Sequence, residues 1–255
     1  MSRGAASRHF FPRGSAQYSP NGGTRLIRFV LSDAQNLLDL STFRLAFELK
    51  NTSADRVLWP QGHPGQCWFQ RVRVYIGGTL IEDILMANRV SGMLDILKPA
   101  NRRWSESLEL LGSVPENPAL SGNTAGYPAG PMNEQIPAGQ TRTILSPIFA
   151  GLFATHYLLP GRFPLTIELE LVNNANQCCA PSRLNPDGAE PPSVPCSQGF
   201  EMQNVRILCD VVSVDNAVNE ELSRVLLAGG ALPMHLSSYS STMHDLLLTE
   251  NPGQS

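Results

Sequence analysis

The stretch Thr42-Phe43-Arg44-Leu45-Ala46-Phe47-Glu48-Leu49-Lys50 decides the fold class of this chain. Apolar side chains occupy every second position from Phe43 to Leu49, and the positions between them hold Arg, Ala and Glu. Because successive side chains of a β-strand point to opposite faces of its sheet, this period of two predicts a strand with one buried face and one face in water.

Similar strands are predicted on both sides of that stretch. They cover residues 24–31, 68–76, 79–81, 141–148, 165–172 and 200–214. The pair Gly77-Gly78 offers the positive backbone angles of a two-residue hairpin. The 20 prolines and 21 glycines are dispersed along the chain and favour short elements separated by turns. We therefore expect an all-β fold, a jelly-roll sandwich with short helical insertions and two long loops.

Helical segments and long polar stretches interrupt the predicted strands. The helical segments are 84–97, 104–111 and 215–228, the polar break is 33–39, and the two long loops are 112–139 and 173–199. Pro99 ends the first helical segment, since proline cannot continue a helix. Asp215 is expected to cap the last segment through a side-chain oxygen.

The two ends of the chain differ from its middle. The predicted domains are a flexible basic arm over 1–23, a jelly-roll domain over 24–230 and a C-terminal extension over 231–255. The arm combines Arg3, Arg8 and Arg13 with Ser, Gly and Pro and shows no periodicity. Within the extension, residues 232–248 are a candidate strand without an evident pairing partner.

Composition limits the classes of function. The hydrophobic fraction of 42%, the charged fraction of 16% and the net charge of −3 describe a folded chain without the basic face that nucleic-acid binding requires. No run of eighteen apolar residues occurs, so no membrane span is predicted. The five cysteines lack metal-ligand spacing and are expected to be reduced thiols. They are Cys67, Cys178, Cys179, Cys196 and Cys209.

Residues that carry catalytic chemistry are sparse, and no catalytic, cofactor-binding or metal-binding residue is predicted. The five histidines are His9, His63, His156, His235 and His244. They are far apart, and no two have the spacing of metal ligands. Glu168 and Glu170 point the same way from one strand, as a glycosidase pair would, but their alternation with apolar residues favours a solvated outer face. The expectation is a protein that is not an enzyme.

One strand interleaves basic and aromatic residues. Its members are Trp68, Arg71, Arg73 and Tyr75, which is the composition of a platform on which nucleic-acid bases stack. A single strand of this kind is a weak signal, because aromatic residues in strands more often fill a core. The core interpretation is therefore favoured.

Four stretches follow one another in a characteristic order. They are Leu37-Leu38-Asp39-Leu40-Ser41 with Phe43 to Leu49, Trp68 to Ile81 with its Gly-Gly turn, Leu158 to Leu169, and Asp210 to Asp215 before a helix. Their order resembles that of jelly-roll capsid proteins of double-stranded DNA viruses and virus-like polinton elements, over residues 24–230. Major capsid proteins of that group usually carry two jelly rolls. The resemblance implies a single-jelly-roll relative, or a first barrel in which 231–255 begins a second, missing one.

This resemblance implies a structural virion protein, a capsid subunit that self-assembles into a shell in the host cytoplasm or nucleus. The implied partners are copies of itself, as a trimer or pentamer, and other capsid proteins. A weak genome contact is expected through Arg3, Arg8 and Arg13. Residues 113–140 and 174–199 are expected to form subunit contacts or the outer surface.

Two other functions fit a jelly-roll sandwich, since a fold alone does not fix function. A carbohydrate-binding module would expose aromatic platforms, and Trp59, beside Pro60 in a loop, is the best candidate among the three tryptophans. A cupin-like metalloenzyme would need a compact set of histidine and carboxylate ligands, of which His63-Pro64-Gly65-Gln66 resembles one corner.

Overall fold

The predicted strands form two main antiparallel sheets in the computed structural model, which describes residues 4–21, 23–33, 35–61, 65–99, 136–184 and 193–242. In chain order the strands are β1 (Gly4–Phe10), β2 (Gln17–Tyr18), β3 (Leu26–Leu31), β4 (Asn36–Asp39), β5 (Arg44–Asn51), β6 (Phe69–Ile76), β7 (Thr79–Leu85), β8 (Thr141–Pro147), β9 (Leu158–Pro160), β10 (Leu165–Leu171), β11 (Ser182–Leu184), β12 (Ser193–Pro195) and β13 (Phe200–Ser213). The α-helices described are α1 (Ala87–Ile96) and α2 (Asn216–Leu227), and short 3-10 turns cover Leu40–Thr42, Gly151–Ala154 and Ala175–Gln177.

The first sheet is organised around β13, its longest strand. One side of β13 pairs with β5 and then β4, which follow one another along it and are joined by the first 3-10 turn. The other side pairs with β2 and β1. Strand β8 extends the sheet beyond β5, and β9 extends it beyond β4.

The second sheet has the order β3-β10-β6-β7. Strand β10 lies between β3 and β6, with Ile167 opposite Phe29 on one side and Val74 on the other. The hairpin between β6 and β7 turns at Gly77 and Gly78, whose φ angles of 59° and 86° are the positive values predicted for this pair.

A single apolar core lies between the two sheets. The alternating side chains from Phe43 to Leu49 are buried, as the period of two predicts. Phe47 of β5 meets Phe69 of β6 in an edge-to-face contact with ring centroids 6.1 Å apart. Full burial of side chains of this kind contributes about 1.5–3 kcal/mol each, so the core is the main source of stability. The prediction of an all-β sandwich is confirmed.

The predicted helices occur with adjusted ends. Helix α1 begins at Ala87 because β7 continues to Leu85, and Met86 joins the two elements in the left-handed region at φ 51°. Asp215 stands at the start of α2 but makes no side-chain cap; its main-chain carbonyl accepts hydrogen bonds from the amides of Val218 and Asn219. The side-chain capping prediction is therefore wrong. Neither described helix is long and apolar enough to cross a membrane.

Several stretches predicted to be irregular contain strands. The polar break 33–39 includes β4, because Leu37 and Leu38 pair with both β9 and β13. The loop 173–199 contains a 3-10 turn and the β11–β12 hairpin. Of the loop 112–139, only 136–139 is described, and Ile136 bridges to Leu58. The predicted helical segment 104–111 lies outside the described residues.

The C-terminal extension lies on the barrel without regular structure. Residues 231–242 form no strand or helix, so the candidate strand is wrong for its described part, and residues 243–248 lie outside it. Met234 and Leu236 are half-buried against the core, and Tyr239 stacks on Phe149 with ring centroids 4.5 Å apart. Side-chain contacts rather than a ladder of main-chain hydrogen bonds hold this segment on the barrel. Its conformation therefore could not be predicted from the period of two that marks a strand.

Candidate functional site

The outer face of the four-stranded sheet presents its side chains in rows that cross all four strands. The central row is Arg28, Glu168, Arg73 and Asp83, in which the sign of the charge alternates. The two flanking rows are Leu26, Glu170, Arg71 and Leu85 on one side and Val30, Thr166, Tyr75 and Leu80 on the other. Exposed leucines therefore stand at three of the four corners of a charged centre, and the half-buried Val30 stands at the fourth.

The central charges neutralise one another. Glu168 lies 3.5 Å from Arg28 and 3.3 Å from Arg73, and it accepts a hydrogen bond from the Tyr75 hydroxyl. Glu170 lies 3.1 Å from Arg25. Only 12% of the Glu168 side chain is exposed, so these cross-strand pairs lie partly beneath the longer arginine side chains.

The edge strand β7 completes this network. Arg71 donates hydrogen bonds of 2.7 and 2.6 Å to the two carboxylate oxygens of Asp83. These hydrogen bonds hold the pKa of Asp83 below its ordinary value and raise the pKa of Arg71. The pair ties the edge of the sheet to its neighbour, β6.

This geometry decides two of the chemical hypotheses. The nucleic-acid platform is wrong, because Trp68 is fully buried and both Arg71 and Arg73 are engaged by carboxylates. Glu168 and Glu170 do lie on the outer face, as predicted, but as members of ion pairs rather than as solvated groups. Carboxylates held between arginines are not arranged as the acid and base of a glycosidase.

The N-terminal arm is part of the first sheet. Residues Gly4–Phe10 pair with β13 over seven positions, and Tyr18 is buried. Arg8 donates a hydrogen bond of 2.6 Å to Asp33. The prediction of a flexible arm is therefore wrong for β1 and β2. The six residues before Phe10 are all exposed, so β1 has no hydrophobic face from which its pairing could have been predicted.

A buried carboxylate fastens the C-terminal extension to the barrel. Glu82 accepts hydrogen bonds from the main-chain amides of Gly151 and Leu152, at 2.9 and 2.6 Å, and from the Ser238 hydroxyl at 2.8 Å. A Cβ atom on Gly151 would lie 1.6 Å from the Ser237 carbonyl oxygen, so only glycine permits this approach. We name residues 234–241 the C-terminal strap.

Two comparisons of the sequence give no match: no protein-family model and no curated protein resembles it. Solved structures do resemble the fold. The Faustovirus major capsid protein superposes with a TM-score of 0.52 at 9% identity, over 88% of this chain and 57% of that one. A chain of the Sputnik virophage structure superposes with a TM-score of 0.50 at 12% identity, over 83% of this chain and 48% of that one.

The chain has the same jelly-roll fold as these two structures. At 9% and 12% identity the likeness is one of fold. This chain spans about half the length of the solved chains it matches.

The two tryptophans within the described residues, which were the candidates for a sugar platform, are covered fully or in part by this jelly roll. Trp68 is fully buried and packs edge to face on Phe200, with ring centroids 4.8 Å apart. Trp59 is half-buried, and Trp104 lies outside the described residues. The best candidate for stacking on a sugar is therefore partly covered by the protein itself.

Metal-binding side chains are dispersed over the same fold. His9, His156 and His235 are exposed on three separate segments, while His63 and His244 lie outside the described residues. Across the described ranges, no group of three or more His, Cys, Asp and Glu side chains is placed to hold a metal ion. The cupin hypothesis has no support from these positions.

All five cysteines are buried thiols. Burial raises the pKa of Cys67 and Cys178 well above the ordinary value, and Cys178 and Cys179 lie with their sulfur atoms 3.6 Å apart. Burial also raises the pKa of Cys209, which is opposite Arg8 in the pairing of β13 with β1, to about 12. Thiols of this kind pack as small apolar side chains and are poor nucleophiles.

Proposed function

We propose that this chain is a structural capsid subunit whose jelly-roll domain packs against copies of itself in a virion shell. The observation that carries the proposal is the shared fold with the Faustovirus major capsid protein over 88% of this chain. A structural role rather than an enzymatic one also agrees with the mutual neutralisation of the charges on the outer face of the second sheet.

The proposed partners are copies of this chain, in trimers or pentamers, and other capsid proteins. Assembly is proposed to occur in the host cytoplasm or nucleus. The domain boundary at residue 230 belongs to this proposal, whereas the one at residue 23 is not retained, because β1 and β2 pair with β13. Because the chain spans about half of the solved chains, two arrangements are open: a single-jelly-roll subunit, or the first barrel of a subunit with two.

Two surfaces are suited to contacts between subunits. The outer face of the second sheet combines paired charges with exposed leucines at its corners, such as Leu80 and Leu85, each 47% exposed. Interfaces usually have an apolar core and a polar rim, so we propose that the exposed leucines, rather than the paired charges, are the points at which a partner subunit would bury this face. Residues 174–199 and 113–140 are proposed as the second surface, and both ranges lie partly outside the described residues.

A weak genome contact is proposed through the basic residues near the N-terminus. Arg8 is already paired with Asp33, which reduces the positive charge that this segment can offer to phosphate. Arg13 and Arg3 are the remaining candidates. The contact would therefore be minor beside the contacts between subunits.

The assembly state of the purified chain tests the proposal. Light scattering and electron microscopy of the same sample, over a range of salt and protein concentration, are expected to show discrete trimers, pentamers or shells. A well-folded monomer at every concentration would contradict the capsid function.

The N-terminal segment provides a second test of the same proposal. A variant that lacks residues 1–10 is expected to assemble less completely, since β1 closes one side of β13. The matched control is Arg8→Ala, which keeps the strand and removes only the charge. Unchanged particles from the deletion variant would exclude an assembly role for the N-terminal segment.

A further inference from the structure

The outer face of the second sheet is complementary to itself. From β3 to β7, its rows are Leu26, Glu170, Arg71 and Leu85; Arg28, Glu168, Arg73 and Asp83; and Val30, Thr166, Tyr75 and Leu80. In the central row the first and fourth positions carry opposite charges, and so do the second and third. In the outer rows the first and fourth positions are apolar, and the two positions between them hold either opposite charges or two hydroxyl groups. Each row therefore matches its own reverse.

A two-fold axis between β10 and β6, parallel to the strands, reverses every row and keeps it at the same height. Two copies laid face to face about this axis bring Leu26 against Leu85 of the other copy. In the central row, Arg28 faces Asp83 of the other copy in the same way. Sheets that pack face to face keep their strand directions within about 30° of each other, and this axis meets that condition.

We propose that this face is a contact between two copies of the chain, related by the two-fold axis parallel to the strands. The contact is self-complementary, because each matched pair occurs twice. The inference rests on the proposed self-assembly and identifies the partner and the geometry of one of its surfaces. The two copies belong to a dimer or to neighbouring trimers or pentamers of the shell.

The charges of the central row select this axis over the alternative. A two-fold axis parallel to the rows would also bring the two faces together, but it would set Arg28 on Arg28 of the other copy and Glu168 on Glu168. All four positions of the central row would then face a like charge, which disfavours that arrangement. Reversal of the row instead gives every charge an opposite one.

The exposed leucines supply the affinity of the contact. Leu80 and Leu85 are each 47% exposed and Leu26 is 39% exposed, so the described part of the chain leaves them partly uncovered. The charges are already paired within each copy, as between Glu168 and Arg73 at 3.3 Å. Their further attraction across the contact is small, and it determines the orientation of the two copies rather than the strength of their association.

The dimensions of the face determine how strong the contact is. Four strands about 4.8 Å apart and three rows about 6.8 Å apart cover roughly 19 by 20 Å. This face is smaller than the ~800 Å² per partner that a standard interface buries. The contact is therefore weak between two isolated copies and depends on protein concentration. It strengthens when other contacts of a shell hold the same copies together.

Cross-linking of the full chain tests the geometry. Two variants, Leu26→Cys and Leu85→Cys, are prepared separately and treated with a bismaleimide that has a spacer of about 10 Å, the distance between packed sheets. We expect cross-linked dimers from a mixture of the two variants and none from either variant alone, because equivalent positions of the two copies lie about 17 Å apart. The five natural cysteines are buried and do not react. In the matched control, Leu227→Cys, at a residue on α2 that is 89% exposed, takes the place of Leu85→Cys.

An introduced pair of charges tests the same pairing through association. Leu26→Glu and Leu85→Lys each remove two apolar contacts per pair of copies, so sedimentation velocity is expected to show association at least about tenfold weaker. The chain with both substitutions is expected to associate more strongly than either single variant, because opposite charges then face each other across the contact. Within one copy the two positions lie three strands, about 14 Å, apart, so an ion pair inside one copy cannot explain the recovery. Circular dichroism verifies that each variant folds.

Cross-linking in the mixture that is no greater than with Leu227→Cys overturns the inference, and so does equal cross-linking of either variant alone. Additive weakening by the two charge substitutions also overturns it, since positions 26 and 85 then do not meet. In each of these cases the proposed function stands if the natural chain associates, because the copies then meet through another surface. A natural chain that never associates contradicts the proposed function itself, and the inference with it.

Discussion

Strands β10 and β1 are both antiparallel strands of seven residues, but they are stabilised in opposite ways. Strand β10 alternates buried apolar and half-buried polar side chains and pairs on both sides. Strand β1 has almost no buried side chain and pairs with β13 alone. The alternating burial of its own side chains stabilises β10 as a strand. Strand β1 instead depends on pairing with the edge that β13 offers. This difference separates what can be recognised in the sequence from what cannot.

The largest effect is expected from truncation in β10. Ile167→Ala removes a fully buried side chain between Phe29 and Val74 and is expected to lower the free energy of unfolding by about 2–5 kcal/mol. Urea denaturation measures the loss. Thr166→Ala, on the outer face of the same strand, is the control and should change stability by about 0.5 kcal/mol or less. Ala6→Gly in β1 is expected to cost at most about 1 kcal/mol. Equal losses of unfolding free energy in Ile167→Ala and Ala6→Gly would contradict the comparison between β10 and β1.

An intermediate effect is expected at the buried carboxylate beneath the C-terminal strap, which also depends on a neighbour. Glu82→Gln leaves one side-chain oxygen to accept from three donors, and its amide NH2 group then faces the donors that the oxygen does not serve. We therefore expect the free energy of unfolding to fall by about 1–3 kcal/mol. The strap should then be released, and limited proteolysis within residues 231–242 should be faster. Glu220→Gln, at an exposed position of α2, should leave the cleavage rate unchanged. A strap that stays protected in Glu82→Gln would show that its apolar contacts suffice.

The positions of these two variants, Ile167 and Glu82, also differ in how well the sequence predicts their structural role. The strands from Phe43 to Leu49 and from Leu165 to Leu171 were predictable, because their periodicity arises from their own burial. Strands β1, β2 and β4 were not, since two are too short for a period and β1 has no apolar alternation. The predicted strand 79–81 ended one residue before Glu82, so Glu82 was not recognised as part of β7. The main-chain amides of Gly151 and Leu152, which donate hydrogen bonds to Glu82, lie about seventy residues further along the chain. Long-range hydrogen bonds of this kind leave no local pattern.

The outer face of the second sheet was predictable in part. The alternation placed Glu168 and Glu170 on it correctly. Their pairing with arginines depended on the register of β3, β6 and β10, which the sequence alone does not define. The α2 helix was predicted, but the orientation of its faces was not, because Gln35 and Arg162, which hold its polar side, are distant in the chain.

The smallest effect is expected from acid at the ion pair that joins β1 to the rest of the sheet. Burial raises the pKa of Asp33, but hydrogen bonds from Asn36 and main-chain amides and the charge of Arg8 outweigh it, and the net pKa is lowered. A lowered folded-state pKa contributes stability that is present above the ordinary value of 3.8 and is lost as the pH falls through the folded value. Because the Arg8 side chain is 52% exposed, we expect less than about 1 kcal/mol.

Hydrogen exchange of the β13 amides that face β1, corrected for the intrinsic pH dependence, measures this effect. Protection should fall as the pH is lowered below the ordinary value of 3.8 in the natural chain and should be lower and independent of pH in Asp33→Asn. A pH dependence that persists in the variant would assign the loss to other carboxylates, of which Asp83 is the first candidate.

The burial of every cysteine has a consequence for the chemical environments that this chain can tolerate. A thiol reacts as its thiolate, and burial keeps Cys67, Cys178 and Cys209 protonated at neutral pH. The cytosol is reducing, whereas the medium outside a cell is oxidising. None of the five cysteines exposes a thiol that could form a disulfide in one environment and lose it in the other. Passage between the two environments would therefore leave its five thiols unchanged, and the fold does not depend on a disulfide in either of them.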